Sequence, residues 1–347
     1  MKSGAGRVML VGEFSYGSLE SSYQTAFESL GFEVTTFDFV ASLGRSCRFG
    51  RAGRTLNTFL PVEPWVRKAN REMVSETFRV RPDYLLTFGH YPIRAGALAQ
   101  IQSSNRTVLV HVWPDPLLNF DTNLIACLPL FDLVASYSES TREPLKRLGA
   151  PNVAWIPLAC DPKLHPAVVC DESDKRKYSA DVTFIGGWRP EREAVLTKLG
   201  AFDLKVWGPD WGRRCRNNTA LLKRWQRRPL YGDEFAKAVS SSKINLNIID
   251  PMNYPAANMR FFELPVAGGL QVCSPCPEME AKFVHGEHIF FYRDADELTE
   301  LIAGLIEDEP RRRKVAAAAR AKVLSAHTYT QRAQSILEHF ENGRNSN

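Results

Sequence analysis

Short apolar runs alternate with stretches of helical spacing along this chain, and the alternation happens twice. Arg7–Val11 is an apolar run that ends at Gly12. Leu19, Tyr23, Ala26, Phe27 and Leu30 follow at helical spacing, and Gly31 is placed to end that helix. Glu33–Phe37 is β-branched and aromatic, as a strand would be. Residues 40–60 are rich in Gly and Arg and read as a loop. Pro64 suits the first turn of a helix running towards Phe78. Asp83–Phe88, Thr107–Trp113 and Leu133–Tyr137 read as further buried strands with helices between them, the last ending near Leu148-Gly149. Fully apolar strands separated by helices predict a parallel sheet covered on both faces.

Residues 157–179, rich in Pro, Asp and Lys, read as a linker, after which the same alternation restarts. Asp181–Ile185 is a strand ending in Gly186-Gly187, and a helix runs from Pro190 to Leu199. Leu204–Trp207, Ile244–Ile249, Leu270–Cys273 and Ile289–Tyr292 are strands, with helices predicted at Glu234–Val239 and Asn258–Ala267. Asp294 and Glu297 have capping-box spacing ahead of a helix that lines up Leu298, Leu301, Ile302, Leu305 and Ile306. A last helix, with Val315, Ala319 and Val323 every four residues, carries the chain towards Leu337. The expectation is two doubly wound α/β domains, 1–160 and 161–347, with a helical C-terminus whose last helix returns to the first domain.

Length and composition agree with this. At 347 residues and 44% hydrophobic, the chain is too long for one ordinary core and too apolar for disorder. No apolar run reaches the length of a membrane span; the longest, Leu124–Tyr137, is interrupted by Pro129 and Asp132. The net charge of +5 is spread over both halves, so neither reads as a nucleic-acid-binding domain. Two local basic runs stand out: Arg45, Arg48, Arg51 and Arg54, and the seven cations from Arg213 to Arg228. Each is either a solvated face or a surface for an anionic partner. Seven cysteines in a chain with a short polar start read as reduced thiols of a cytoplasmic protein. The Cys273/Cys276 pair lacks a second pair at zinc-binding spacing and does not open a thioredoxin-type unit.

In doubly wound sheets ligands bind outside the carboxyl ends of the strands, so the loops after strands are where chemistry is expected. Gly12, Tyr16 and Gly17 lie in the loop after the first strand, which lacks both G-x-G-x-x-G and the lysine of a P-loop. This absence disfavours a dinucleotide oxidoreductase. Asp115, between Pro114 and Pro116, is a rigidly held carboxylate able to accept a hydroxyl proton, or simply a turn residue. His90, after Phe88-Gly89, is a similar group, whereas His111 lies within its strand. Gly187, Arg189 and Arg192 flank a helix start after Gly186, a combination suited to a pyrophosphate. Asn258 can cap the next helix. Arg260 in its first turn makes most sense beside an anion, and Glu263 is placed either to hold a ribose diol or to pair with Arg260.

The stretches Asp181-Val-Thr-Phe-Ile-Gly-Gly-Trp-Arg-Pro-Glu-Arg, Lys243-Ile-Asn-Leu-Asn-Ile, Arg260-Phe-Phe-Glu-Leu-Pro-Val-Ala-Gly-Gly and His327-Thr-Tyr-Thr-Gln-Arg resemble the donor-binding domain of GT-B glycosyltransferases of the CgeB-like, spore-maturation group 1 type. Trp113-Pro-Asp-Pro and Asp161-Pro162 resemble that family more loosely. The resemblance implies two Rossmann-like domains facing across a cleft, with the acceptor on the first domain near Gly12, Tyr16 and Gly17. It implies that Glu263 holds the donor ribose, that Arg260 and Asn258 lie against the donor phosphates, and that Gly187, Arg189 and Arg192 line the diphosphate. The reaction implied is metal-independent, cofactor-free transfer of a sugar from a nucleoside diphosphate sugar to a glycan, lipid-linked or protein acceptor, with Asp115 or His90 assisting. One departure is clear. The first acid of the Glu-x7-Glu pair common among group 1 enzymes falls at Pro255. Peripheral contact with the inner membrane face through Arg45–Arg54 is a further expectation. A non-catalytic nucleotide-sugar binder, or an epimerase or phosphorylase on the same fold, are the alternatives.

Overall fold

A computed structural model describes residues 6–47, 62–104 and 106–344. Arg48, Arg51 and Arg54 lie outside them. The chain divides into two units, Met1–Pro157 with Tyr329–Asn347, and Leu158–Thr328.

The elements of the first unit are β1 (Arg7–Gly12), α1 (Leu19–Ser29), β2 (Glu33–Asp38), α2 (Phe39–Ser46), α3 (Glu63–Val80), β3 (Tyr84–Phe88), α4 (Ala95–Ser104), β4 (Val108–Trp113), α5 (Thr122–Cys127), β5 (Leu133–Ser136), α6 (Arg142–Arg147) and β6 (Val153–Trp155). They build a parallel six-stranded sheet in the order β2-β1-β3-β4-β5-β6. Val8, Met9, Leu10 and Val11 are all fully buried, because successive side chains point to opposite faces and both faces are covered. One face packs Met9, Leu85, Leu109 and Val134 with Met73 of α3 and Leu98 of α4. Tyr23 of α1 packs tilted against Phe88 at 5.3 Å between ring centroids.

The second unit holds α7 (Glu172–Tyr178), β7 (Val182–Ile185), α8 (Pro190–Lys198), β8 (Leu204–Trp207), α9 (Trp211–Arg214), α10 (Thr219–Leu222), α11 (Gly232–Ser241), β9 (Ile244–Asn247), α12 (Arg260–Val266), β10 (Gln271–Cys273), α13 (Pro277–Glu280), β11 (Phe290–Phe291), α14 (Ala295–Glu307) and α15 (Glu309–Ala326). Its parallel sheet has the order β11-β10-β9-β7-β8. Strand order reverses between β7 and β9, the switch point at which such sheets open a crevice. Phe184, Val206, Leu246 and Val272 pack on Leu196 of α8 and Leu298 and Ile302 of α14. Ile185 and Trp207 pack on Phe235 of α11 and Leu264 of α12.

α16 (Tyr329–Arg344) belongs to the first unit, where it packs along α1. Tyr329 lies 5.4 Å from Tyr23, and Arg332 donates to the Pro157 carbonyl at 2.7 Å.

Four local readings need correction. The Gly/Arg-rich stretch begins with a helix, α2, because Asp38 caps it by accepting from the Ala41 amide at 2.7 Å and Phe39 anchors it in the core. The linker contains α7, capped by Asp171 and pinned by buried Tyr178. The strand β6 follows Gly149 where no strand was expected. The last helix is two helices. His327 leaves helical geometry, buries its ring against Phe262 and Phe283, and gives its carbonyl to the Cys160 amide.

Candidate functional site

The loops at the carboxyl ends of β7 and β9 converge through two arginines. Arg192, in the first turn of α8, donates from Nε to the Ile248 carbonyl at 3.2 Å and from Nη1 to the Gly187 carbonyl at 2.8 Å. Arg189, just before that helix, donates from Nε to Asp250 Oδ2 at 2.9 Å. Arg192 is half-buried over the Phe184 ring, and burial lowers its pKa. Arg189 is the more exposed of the two. The close glycine contact falls one strand away, at Gly208. Its φ is +142°, and a Cβ there would stand 2.0 Å from the Gly186 carbonyl oxygen. Gly187 faces Pro209.

Arg260 opens α12 and completes this basic rim. Its Nε donates to the Ile185 carbonyl at 3.2 Å, its guanidinium lies 4.7 Å from the Phe235 ring centre, and its Nη1 pairs with Glu263 Oε2. The sequence offered an ion pair or a ligand role for Glu263, and the ion pair is present. Glu263 is buried at 4% exposure. Its second oxygen, Oε1, is 4.0 Å from His165 Nε2. His165 packs edge-on to Phe235 at 4.9 Å. Burial holds the imidazole pKa down against the raising effect of Glu263, and its Nδ1 is buried with no hydrogen-bond partner. Three arginines and two carboxylates therefore lie beside the switch point, Arg260 paired with Glu263 and Arg189 with Asp250.

Asn258 caps the helix as its sequence position predicts. Its Oδ1 accepts from the Phe261 amide at 3.1 Å, which caps the helix, and its Nδ2 donates to Asn247 Oδ1 at 2.9 Å. Asn247 in turn donates to Gln271, and Gln271 donates to the Phe261 carbonyl. This amide chain ties β9, β10 and the start of α12 together. Pro255, at the position of the missing acid, gives its carbonyl to the Glu278 amide at 3.3 Å.

In the first unit, His90 Nδ1 and Asp115 Oδ2 stand 3.9 Å apart beyond β3 and β4. Asp115 is partly buried, and desolvation raises its carboxyl pKa against the opposing pull of His90. His111 is buried, bonded through Nδ1 to Thr87 Oγ1 at 2.8 Å and stacked on Phe131. Desolvation lowers its pKa to about 3, so it is a neutral core residue. Gly12 is where Glu20 presses in: a Cβ there would meet Glu20 Cγ at 2.5 Å. Buried Glu20 accepts from Tyr91 Oη at 2.7 Å. Gly17 has φ +77°, and Tyr16 beside it is 71% exposed. Among the described residues no group of three or more His, Cys, Asp or Glu is placed to hold a metal ion.

The sequence reading missed His165, Asp250 and Glu20. His165 lay in the presumed linker, and nothing in its neighbours marks it. Asp250 follows the β9 run directly and carried the ordinary strand-end signal. The Arg213–Arg228 run disperses: Arg213 faces Asp210, Arg224 faces Asp203, and Arg228 binds Glu234. The acids come from outside the run. Cys273 and Cys276 are buried free thiols.

Residues 190–338 match the family model described as glycosyl transferase-like. No curated protein sequence matches the chain. Solved structures share its fold at low identity. The Anabaena protein Alr3699/HepE, in complex with UDP-glucose, is 14% identical with a TM-score of 0.64, over 97% of this chain and 100% of that one. Sucrose-phosphate synthase from Thermosynechococcus elongatus is 13% identical with a TM-score of 0.66, over 99% and 100%. A glycosyltransferase from Rickettsia africae ESF-5 is 12% identical with a TM-score of 0.67, over 97% and 98%. The fold is thus GT-B, and the stretch carrying Arg192, Arg260 and Glu263 is glycosyltransferase-like in sequence.

Proposed function

We propose that this chain transfers a glycosyl group from a nucleoside diphosphate sugar to a hydroxyl acceptor. The observation that carries the reading is the set Arg189, Arg192 and Arg260 at the β7/β9 switch point, with buried Glu263 paired to Arg260. Its support comes from the family match over residues 190–338 and from the UDP-glucose held by the Anabaena protein of the same fold.

The chemistry follows from the groups. The bond between the anomeric carbon and the β-phosphate oxygen breaks, and its electron pair leaves with the diphosphate. Arginine guanidiniums already fixed by carbonyls need little reorganisation to meet that charge, so they favour the transition state over the ground state. Activity that survives a chelator is the expected outcome. Glu263 Oε1 is left to accept a ribose hydroxyl. The first unit presents the acceptor, and Asp115, whose raised pKa suits proton acceptance better than a free carboxylate's, takes the hydroxyl proton with His90 beside it. Within this reading the chain is a cytoplasmic hexosyl-type enzyme of the CgeB-like group serving glycan synthesis, with a glycan, lipid-linked or protein acceptor.

A thermal-shift screen against UDP-, GDP-, ADP-, TDP- and CMP-linked sugars tests it, because a ligand bound only by the folded state raises apparent stability. One class should stabilise the protein and be turned over, slowly with water and faster with acceptor. Asp115→Asn should keep donor binding and lose transfer by about 100-fold or more. Donor binding without any turnover would favour the nucleotide-sugar binder, a reading to which Pro255 in place of the first acid also points.

A further inference from the structure

We infer that the second unit carries a second anion site, at the end of its sheet opposite the arginine rim, for a small soluble phosphate ester. The chain enters β7, β9 and β10 just after Ser179, Lys243 and Leu270, and all three line a cavity of about 730 Å³. That volume falls within the range of small-molecule sites and has room for a phosphorylated sugar. One wall is a single face of α15, where Arg312, Arg313, Ala316, Ala317 and Arg320 follow helical spacing. Lys175 and Lys243 line the cavity as well.

Charge bookkeeping shows why an anion fits. Lys175 pairs with Glu172, Lys243 with Asp181 and Arg313 with Glu309. Arg312 and Arg320 make no carboxylate pair among the described residues, although Asp181 feels the field of Arg312. Arg312 donates from Nη1 to the carbonyls of Leu305 and Ile306 at 2.5 and 2.6 Å, and Arg320 from Nε to the Val266 carbonyl at 3.1 Å. Each guanidinium keeps other N–H groups for a ligand, so five cations stand against three carboxylates. A dianionic phosphate would offset this excess, and the guanidinium fork matches its oxygens.

Isothermal titration of the full chain with glucose 6-phosphate and with inorganic phosphate, at constant ionic strength, tests the site. Both should bind saturably, the ester more tightly. The double change Arg312→Gln/Arg320→Gln should weaken the ester at least tenfold, while Arg260→Ala, at the other end of the sheet, leaves it unchanged. Because Arg312 and Arg320 also close helix ends, Lys175→Gln/Arg313→Gln provides a second test that removes only exposed cations. It should weaken binding about threefold. No saturable binding, equal affinity in both double variants and wild type, or loss with Arg260→Ala instead would overturn the inference. So would binding to vesicles of phosphatidylserine and phosphatidylcholine that the same substitutions abolish while the soluble esters do not bind. None of these outcomes depends on whether a nucleotide sugar is turned over.

Discussion

Glu263 is buried almost without solvent, and Arg260 lies against one of its oxygens. Arg260→Ala leaves that carboxylate without its partner and, on the proposed function, removes one of three arginines assigned to the diphosphate. It should weaken nucleoside diphosphate binding at least tenfold and lower stability by about 1–3 kcal/mol, read by titration and by denaturant melts. Unchanged affinity would remove Arg260 from the donor site. His111 gives a pH signature. Burial lowers its pKa from 6.5 to about 3, so between those values the unfolded chain binds a proton that the folded chain does not. Stability therefore falls as pH drops from about 6.5 towards 3, by on the order of 1 kcal/mol per pH unit, and is fully present above that window. In His111→Gln this part of the acid limb should vanish from melts followed against pH. At this scale the sequence was legible where a residue's task is local. Arg260 and Glu263 three positions apart on one turn could be paired on paper. His165 could not, because 98 positions separate it from Glu263 and only the fold brings them to 4.0 Å.

Elements with a local stop signal were read closely. Gly31 follows α1 with φ +85°, as a helix end in left-handed geometry requires. Asp294 caps α14 through the amides of Asp296 and Glu297, and Glu297 reaches back to the Arg293 amide at 2.7 Å. Asp294→Ala should cost about 1 kcal/mol, with amide exchange faster in the first turn of α14 than elsewhere. A uniform change across the second unit would show that the cap does not act locally. Elements were misread where an anchor is tertiary. α2 and α7 look like polar loop, but Phe39 and Tyr178 each bury one ring in a core supplied by distant residues. The break at His327 is similar. Its helical spacing continues in the sequence, and the rings of Phe262 and Phe283 end it.

For the whole molecule, α16 is the element that chain order places wrongly. It follows the second unit in sequence yet packs on α1 of the first, burying Tyr329, Ala333 and Ile336. Removing residues 329–347 should destabilise the first unit by at least ~3 kcal/mol, from two large apolar side chains and the face they cover. Limited proteolysis should then cut within 6–157 sooner than within 158–328, and equal protection of both would count against this. Alternation of apolar runs and helices determined two parallel α/β sheets, because burial on both faces demands continuous apolar strands at a strand's length. The loops after those strands, and with them Arg189, Arg192 and Arg260, followed from the same pattern. Strand order, the β7/β9 switch point, the approach of His165 to Glu263 and the cavity under α15 came only from tertiary structure. Each depends on residues far apart in the chain, and periodicity says which face is buried but not what buries it.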